Sequence, residues 1–114
     1  MNPWQYLEKV RQKSSRLWLG LMSGTSLDGL DIALVKVAGS GSSTKISLEA
    51  FASPPYSAEW QHCLQHCTNP TEVSAIELGQ LHVGLGFHWS EIVLQQLYKW
   101  HIDPRSIDAV ASHG

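Results

Sequence analysis

Apolar and polar positions change period along this chain, and each change marks a different kind of element. The opening stretch, Met1 to Arg16, is polar, carries Lys9, Arg11, Lys13 and Arg16, and reads as a helical leader. Leu17-Trp18-Leu19-Gly20-Leu21-Met22 follows as an unbroken apolar run, the pattern of a central strand buried on both faces. Ser23 to Gly29 is a turn by composition, and Asp31 to Val37, rich in β-branched residues, is a second strand. After a flexible connector, Gly39 to Thr44, the alternation from Lys45 to Ala50 predicts a half-exposed third strand. Short connections make these three an antiparallel meander.

Beyond Pro54 and Pro55 the period becomes helical. Ser57 is placed to cap a helix over Ala58 to Cys67, which Asn69-Pro70 breaks. Thr71 then offers a cap for a long helix whose Val73, Ile76, Leu81, Leu85, Trp89, Ile92, Val93, Leu97 and Trp100 recur at helical spacing. Gly79, Gly84 and Gly86 each weaken it by ~0.5–1 kcal/mol relative to Ala. The helix is therefore kinked or split there, or the glycines admit a close neighbour. Asp103-Pro104 ends it, and Ile107 to Ser112 reads as a fourth strand running into His113-Gly114. A strand–helix–strand crossover pairs its strands in parallel. The expectation is an α/β domain with a mixed sheet and helices packed on it.

Composition narrows the functional classes. The chain has 114 residues, the size of one domain, and 43% of them are hydrophobic, which excludes a disordered tail. Charged residues are only 16% and Trp numbers five, which predicts apolar surface that needs cover. A net charge of −2 without a basic cluster argues against a nucleic-acid partner. No apolar run approaches the ~18 residues that would span a membrane. The leader lacks the apolar segment of a secretory signal, and Cys63 and Cys67 make no disulfide framework. A cytoplasmic location is expected.

The densest chemistry lies in the turn between the first two strands, where Gly24, Thr25, Ser26, Asp28 and Gly29 fall within six positions. Glycines let backbone N–H groups face inward, and such a nest holds phosphate oxygens. The Thr25 and Ser26 hydroxyls can add hydrogen bonds, and Asp28 can hold Mg²⁺ directly or through its water shell. The same residues also fit a plain hairpin loop, because Asp-Gly is a common tight-turn pair. No G-x-x-x-x-G-K-[ST] is present, so the turn is not a P-loop.

The contiguous stretch Gly20-Leu21-Met22-Ser23-Gly24-Thr25-Ser26-Leu27-Asp28-Gly29-Leu30-Asp31-Ile32-Ala33-Leu34-Val35 resembles the N-terminal signature of the anhydro-N-acetylmuramic acid kinases. Ile107-Asp108-Ala109-Val110-Ala111-Ser112-His113-Gly114 is similar to the family's stretch leading into Ser-His-Gly-Gln-Thr. The resemblance covers residues 17–114, leaving 1–16 as a polar extension. It implies the first part of a ribonuclease-H-like, actin-like ATPase lobe. It also implies a kinase that uses ATP, Mg²⁺ and water to convert 1,6-anhydro-N-acetylmuramic acid to N-acetylmuramic acid 6-phosphate, in cytoplasmic peptidoglycan recycling and amino sugar metabolism. Water opens the anhydro ring at C1 while O6 attacks the γ-phosphate, with an Asp as general base.

By carry-over, Gly24, Thr25, Ser26, Leu27, Asp28, Gly29, Leu30 and Asp31 form the ATP phosphate-binding loop. By the same carry-over His113 and Gly114 would begin a segment near the sugar, and the resemblance implies a homodimer for the full-length protein. The family's catalytic Asp lies in an Asp-x-Gly-Pro-Gly-Asn segment absent from this sequence, so no catalytic residue is named. Family members are roughly three times longer, and the expectation is an N-terminal portion, inactive alone. The alternatives are another sugar kinase of the same superfamily or a non-catalytic nucleotide-binding remnant.

Three further groups are assigned structural roles. Glu77, His82, His88 and Glu91 are expected on a solvated helix face. Trp18 is expected in a buried strand, and Trp89 and Trp100 on the apolar helix stripe. His62, Cys63, His66 and Cys67 have the i, i+4 spacing of zinc ligands, but structural zinc sites draw on two pieces of chain. A helix with a buried Cys face is expected instead. Elemental analysis of purified protein should find no stoichiometric zinc, and a one-to-one content would overturn that reading.

Overall fold

The computed structural model describes residues 1–69 and 71–113. Helix α1 spans Pro3–Arg11, strand β1 Ser15–Met22, β2 Asp31–Ala38 and β3 Lys45–Ala52. Helices α2 (Ala58–Cys67) and α3 (Ala75–Lys99) follow, and β4 (Ala109–Ser112) closes the order. The sheet runs β3-β2-β1-β4. β1–β2 and β2–β3 are antiparallel, while β4 joins β1 in parallel, with Leu21 opposite Ser112. Meander, helical crossover and parallel fourth strand are thus as expected, and the arrangement is consistent with part of an actin-like ATPase lobe.

The helical boundaries follow from capping. α1 starts where Asn2 and Gln5 exchange a capping box ahead of Pro3, which needs no N–H partner there. Ser57 caps α2 by accepting from the Trp60 N–H. α3 begins at Ala75, not after Thr71, because Ser74 and Glu77 satisfy each other's backbone N–H groups reciprocally. Thr71 instead donates its N–H and hydroxyl to Asn69 Oδ1. Pro70, expected to break α2, lies outside the described residues.

α3 is one helix of 25 residues, neither split nor closely approached at Gly79 or Gly86, where an added Cβ would meet nothing within 4 Å. At Gly84 the nearest atom is on the Trp60 ring, at an ordinary 3.7 Å. A left-handed His101 (φ 59°) ends the helix, with Ile102 N–H reaching Leu97 O and His101 N–H reaching Tyr98 O.

One face of the sheet carries the core. Leu19, Ile32 and Leu34 meet Leu64 of α2 and Leu97 of α3, with Leu30 and Tyr56 sealing the end. Burying each such side chain contributes ~1.5–3 kcal/mol. The stripe Leu81, Leu85, Trp89, Ile92, Val93 and Leu97 packs here as its spacing predicts, whereas Ile76 is 74% exposed. β1 is not buried on both faces. Trp18 is 38% exposed and Met22 50% exposed, on the side of the sheet away from the core. α2 and α3 both pack on the opposite face, so the outward positions gain no apolar neighbour layer.

Two other side chains depart from expectation. His88 is half-buried, stacked on Trp60 at 4.4 Å and 4° instead of lying on the solvated face. α2 buries Leu64; Cys63 is exposed and Cys67 half-buried. Burial raises the Cys67 thiol pKa, with neighbouring Cys63 and Glu77 adding to the effect. His66 lies 3.6 Å from Glu72 and 3.7 Å from Glu77, and no cluster of three metal-ligating groups occurs among the described residues.

Asp108 ties the leader to the sheet. Its carboxylate accepts from Lys13 Nζ and from the Leu17 N–H (2.9 Å), its N–H donates to Leu17 O (2.8 Å), and its carbonyl accepts from Tyr6 Oη (2.9 Å). Burial pushes this carboxyl pKa up, but the hydrogen bonds from Lys13 and Leu17, with the charges of Lys13 and Arg16, together hold it below its ordinary value. A depressed folded pKa stabilises above the unfolded value of ~3.9 and loses that contribution as pH falls through the folded value. Asp108→Asn should therefore lower the urea midpoint at neutral pH, and the gap to wild type should close on acidification. A gap that persists unchanged in acid would show that charge is not what Asp108 contributes.

Candidate functional site

The parallel β1–β4 pair ends at Met22 and Ser112, and the segments leaving this sheet end carry the candidate chemistry. Ligands in α/β sheets gather outside the carboxyl ends of parallel strands, where diverging loops open a crevice. Met22 pairs with Asp31, so residues 23–30 form a wide eight-residue turn instead of a tight Asp-Gly hairpin.

The turn is held by the segment that follows β3. Pro54 O accepts from the Leu30 N–H at 3.0 Å, Asp28 O accepts from the Tyr56 N–H at 2.9 Å, and Gly29 bridges Pro55 between them. Prolines suit this clamp because they lack an N–H, leaving Pro54 as an acceptor and Tyr56 as the donor. Gly29 is required by proximity: a Cβ there would sit 2.6 Å from Pro54 O and 3.1 Å from Pro55 Cα. The left-handed residue of the turn is Leu27 (φ 54°), whose N–H closes back on Gly24 O at 3.1 Å. Its side chain packs against the core, which holds an otherwise costly conformation in place.

Tyr56 grips the other end as well. Its hydroxyl lies 3.0 Å from Ser23 Oγ and accepts from Trp89 Nε1 at 2.9 Å. Gln61 Nε2 donates to Tyr56 O at 3.1 Å and reaches Asp28 O at 3.5 Å. Ser23, Gly24, Thr25, Ser26 and Leu27 then line an open cleft of about 590 Å³, walled by Gln65 and Thr68 of the α2 terminus.

Within this turn the predicted residues play different parts. Gly24, Thr25, Ser26 and Asp28 are exposed, and among the described residues no backbone acceptor takes their N–H groups or that of Gly29. Ser26 Oγ donates to Asp28 Oδ1 at 2.9 Å, so the two form a unit. Leu30 serves the core, with its side chain fully buried and its N–H given to Pro54. Asp31 accepts from Ser53 Oγ at 2.6 Å and lines a second cleft, of about 600 Å³, on the outward sheet face with Met22, Ser112 and His113. The fold thus brings Asp31 and His113 together across Met22; Gly114 lies outside the described residues.

Pattern reading missed Ser23, Tyr56 and Trp89. Pro54-Pro55 signalled only a stop, and the polar edge of an aromatic on an apolar stripe has no periodic signature.

The residues fit a magnesium nucleotide. Free N–H groups supply phosphate donors, and the Asp28 carboxylate supplies the hard oxygen ligand Mg²⁺ takes alongside phosphates. None of the described residues lining the loop cleft carries a positive charge, so charge neutralisation of an anionic ligand there would have to come from a cation.

The family model for anhydro-N-acetylmuramic acid kinase matches residues 16–114. The anhydro-N-acetylmuramic acid kinase of Pseudoalteromonas atlantica is 39% identical over 110 residues, 96% of this chain and 27% of that protein. Its counterpart in Pseudoalteromonas translucida is 40% identical over 102 residues, 90% of this chain and 25% of that protein. The Caldanaerobacter subterraneus kinase is 38% identical over 108 residues, 95% of this chain and 27% of that protein. The chain spans about a quarter of the length of these relatives.

Gly29→Ala should destabilise the fold by ~1–3 kcal/mol, because both clashing partners are backbone. Gly79→Ala, in open space on α3, should instead stabilise by ~0.5–1 kcal/mol. Urea unfolding of the two variants checks this; a neutral Gly29→Ala would mean that the Pro54 clamp yields easily.

Proposed function

The chain belongs to the anhydro-N-acetylmuramic acid kinase family, and from that premise we propose that its turn from Gly24 to Asp31 binds the phosphate chain of Mg²⁺–ATP. The observation that carries this reading is the clamped turn whose exposed residues Gly24, Thr25, Ser26 and Asp28 have N–H groups without a backbone acceptor among the described residues. Gly24, Thr25, Ser26, Asp28 and Gly29 present donors to the phosphate oxygens. Asp28 holds Mg²⁺ directly or through its waters, oriented by the Ser26 hydroxyl. When bound, the metal neutralises phosphate charge and favours transfer of the terminal phosphoryl group.

The substrate proposed for the kinase is the one its relatives are named for, anhydro-N-acetylmuramic acid; beyond that name we propose that the 1,6-anhydro ring is opened by water and the sugar phosphorylated at O6 from ATP, in the cytoplasm, as part of peptidoglycan recycling. Asp31 and His113 line the cleft on the other face of the same sheet end, and His113 is assigned to the sugar side. No catalytic base is assigned among the described residues, so the 114-residue chain is expected to bind nucleotide without turning it over. Residues 1–16 are proposed as an extension beside the lobe that spans 17–114, and the full-length kinase as a homodimer. No helix among the described residues is long and apolar enough to cross a membrane.

Because the loop cleft is lined without positive charge, binding should require the metal. Mg²⁺–ATP is expected to raise the melting temperature of the chain, and ATP in chelator is expected not to. Equal shifts with and without Mg²⁺ would remove Asp28 from its role, and no shift in either would remove the loop from its own.

A further inference from the structure

A hydrogen-bond relay runs from the middle of α3 to the first residue of the turn, and chemistry dictates its direction. An indole N–H can only donate, so Tyr56 Oη is the acceptor of the 2.9 Å bond from Trp89 Nε1. Tyr56 is only 3% exposed, so its single phenolic proton requires an acceptor inside the protein. That acceptor is Ser23 Oγ, 3.0 Å away. Ser23 therefore accepts a hydrogen bond from Tyr56, and its own hydroxyl proton is left to point elsewhere. Ser23 lines the loop cleft beside Gly24 and Thr25, and no acceptor among the described residues takes that proton.

We infer that Ser23 is a hydroxyl donor to a phosphate oxygen, aimed by Tyr56 and Trp89 acting as positioning residues. The inference rests on reading the turn as a phosphate site and extends that site by one residue before Gly24. Phosphate oxygens only accept, so a serine whose proton points away from them contributes nothing. The bond from Tyr56 excludes the orientation in which the Ser23 proton points back at the phenol and so favours its pointing into the cleft, and preorganisation of this kind lowers the cost of binding. Ser26 behaves differently, since its proton is already committed to Asp28 Oδ1. The same Tyr56 donates its backbone N–H to Asp28 O, so one buried residue holds both ends of the turn.

The test is calorimetric titration of the 114-residue protein with tripolyphosphate and Mg²⁺, on wild type, Ser23→Ala, Ser23→Thr and Tyr56→Phe. Each is checked for an unchanged circular dichroism spectrum. A lost hydrogen bond to a charged group should weaken Ser23→Ala about tenfold or more, and Ser23→Thr, which keeps the hydroxyl, should restore binding. Tyr56→Phe keeps Ser23 but frees its orientation, and should fall between the two. If Tyr56→Phe does not fold, the Ser23 pair decides alone, because Thr rescue depends on the hydroxyl and not on the fold. Binding by Ser23→Ala at the wild-type level would overturn the inference and leave the phosphate loop standing. Failure of the wild type to bind tripolyphosphate would overturn the loop reading and the inference with it.

Discussion

The clamp between Pro54–Tyr56 and the far end of the β1–β2 turn is the constraint from which the site's geometry follows. An eight-residue turn joining two strands would otherwise be free to sample many conformations, each residue ordered costing ~1–2 kcal/mol of backbone entropy. Here two backbone hydrogen bonds, Leu30 to Pro54 and Tyr56 to Asp28, secure it against a segment that two prolines have already stiffened. Leu30 and Tyr56 are both buried, so the clamp is anchored in the core and shielded from competing water. Gly29 is the residue that lets the two chains come this close.

The clamp also divides the labour of the turn. Asp28 O, Leu30 N–H and the Leu30 side chain face inward and build structure. Gly24, Thr25, Ser26 and Asp28 are exposed, the N–H groups of Gly24 to Ser26 have no backbone acceptor among the described residues, and Leu27 takes a left-handed conformation between the two sets. Tyr56 joins this division to the helix layer through Trp89. Packing on α3 thereby reaches the first residue of the turn. A second anchor, at Asp108, works on the opposite end of β1, where Lys13, Leu17 and Tyr6 converge on one residue and hold the leader against β4.

Much of the architecture was legible in the order of the residues. The apolar run of β1, the alternation of β3, the Ser57 cap and the stripe from Leu81 to Leu97 predict the elements found, because local periodicity and capping act over a few residues. The Thr71 cap fails because Ser74 and Glu77, at the capping-box spacing, satisfy two backbone N–H groups where a lone hydroxyl satisfies one. His88 and Trp18 failed for a different reason. Neither the stacking of His88 on Trp60 nor the absence of a helix layer over Trp18 is a property of a single element.

The sequence by itself determined the strand pairing in outline, the concentration of glycine, hydroxyl and carboxylate groups between Gly24 and Asp31, and the family resemblance carried by Gly20 to Val35. These depend on residues adjacent in the chain, and adjacency is what a sequence records. Only the tertiary structure decided which groups of the turn are consumed in holding it and which are left without a partner among the described residues. That division depends on Pro54, Tyr56 and Trp89, which lie some 25 to 65 positions away along the chain and meet the turn only because sheet and helices pack together. Hydrogen-bond direction, and with it the inferred role of Ser23, exists only once those distant partners are within 3 Å of one another.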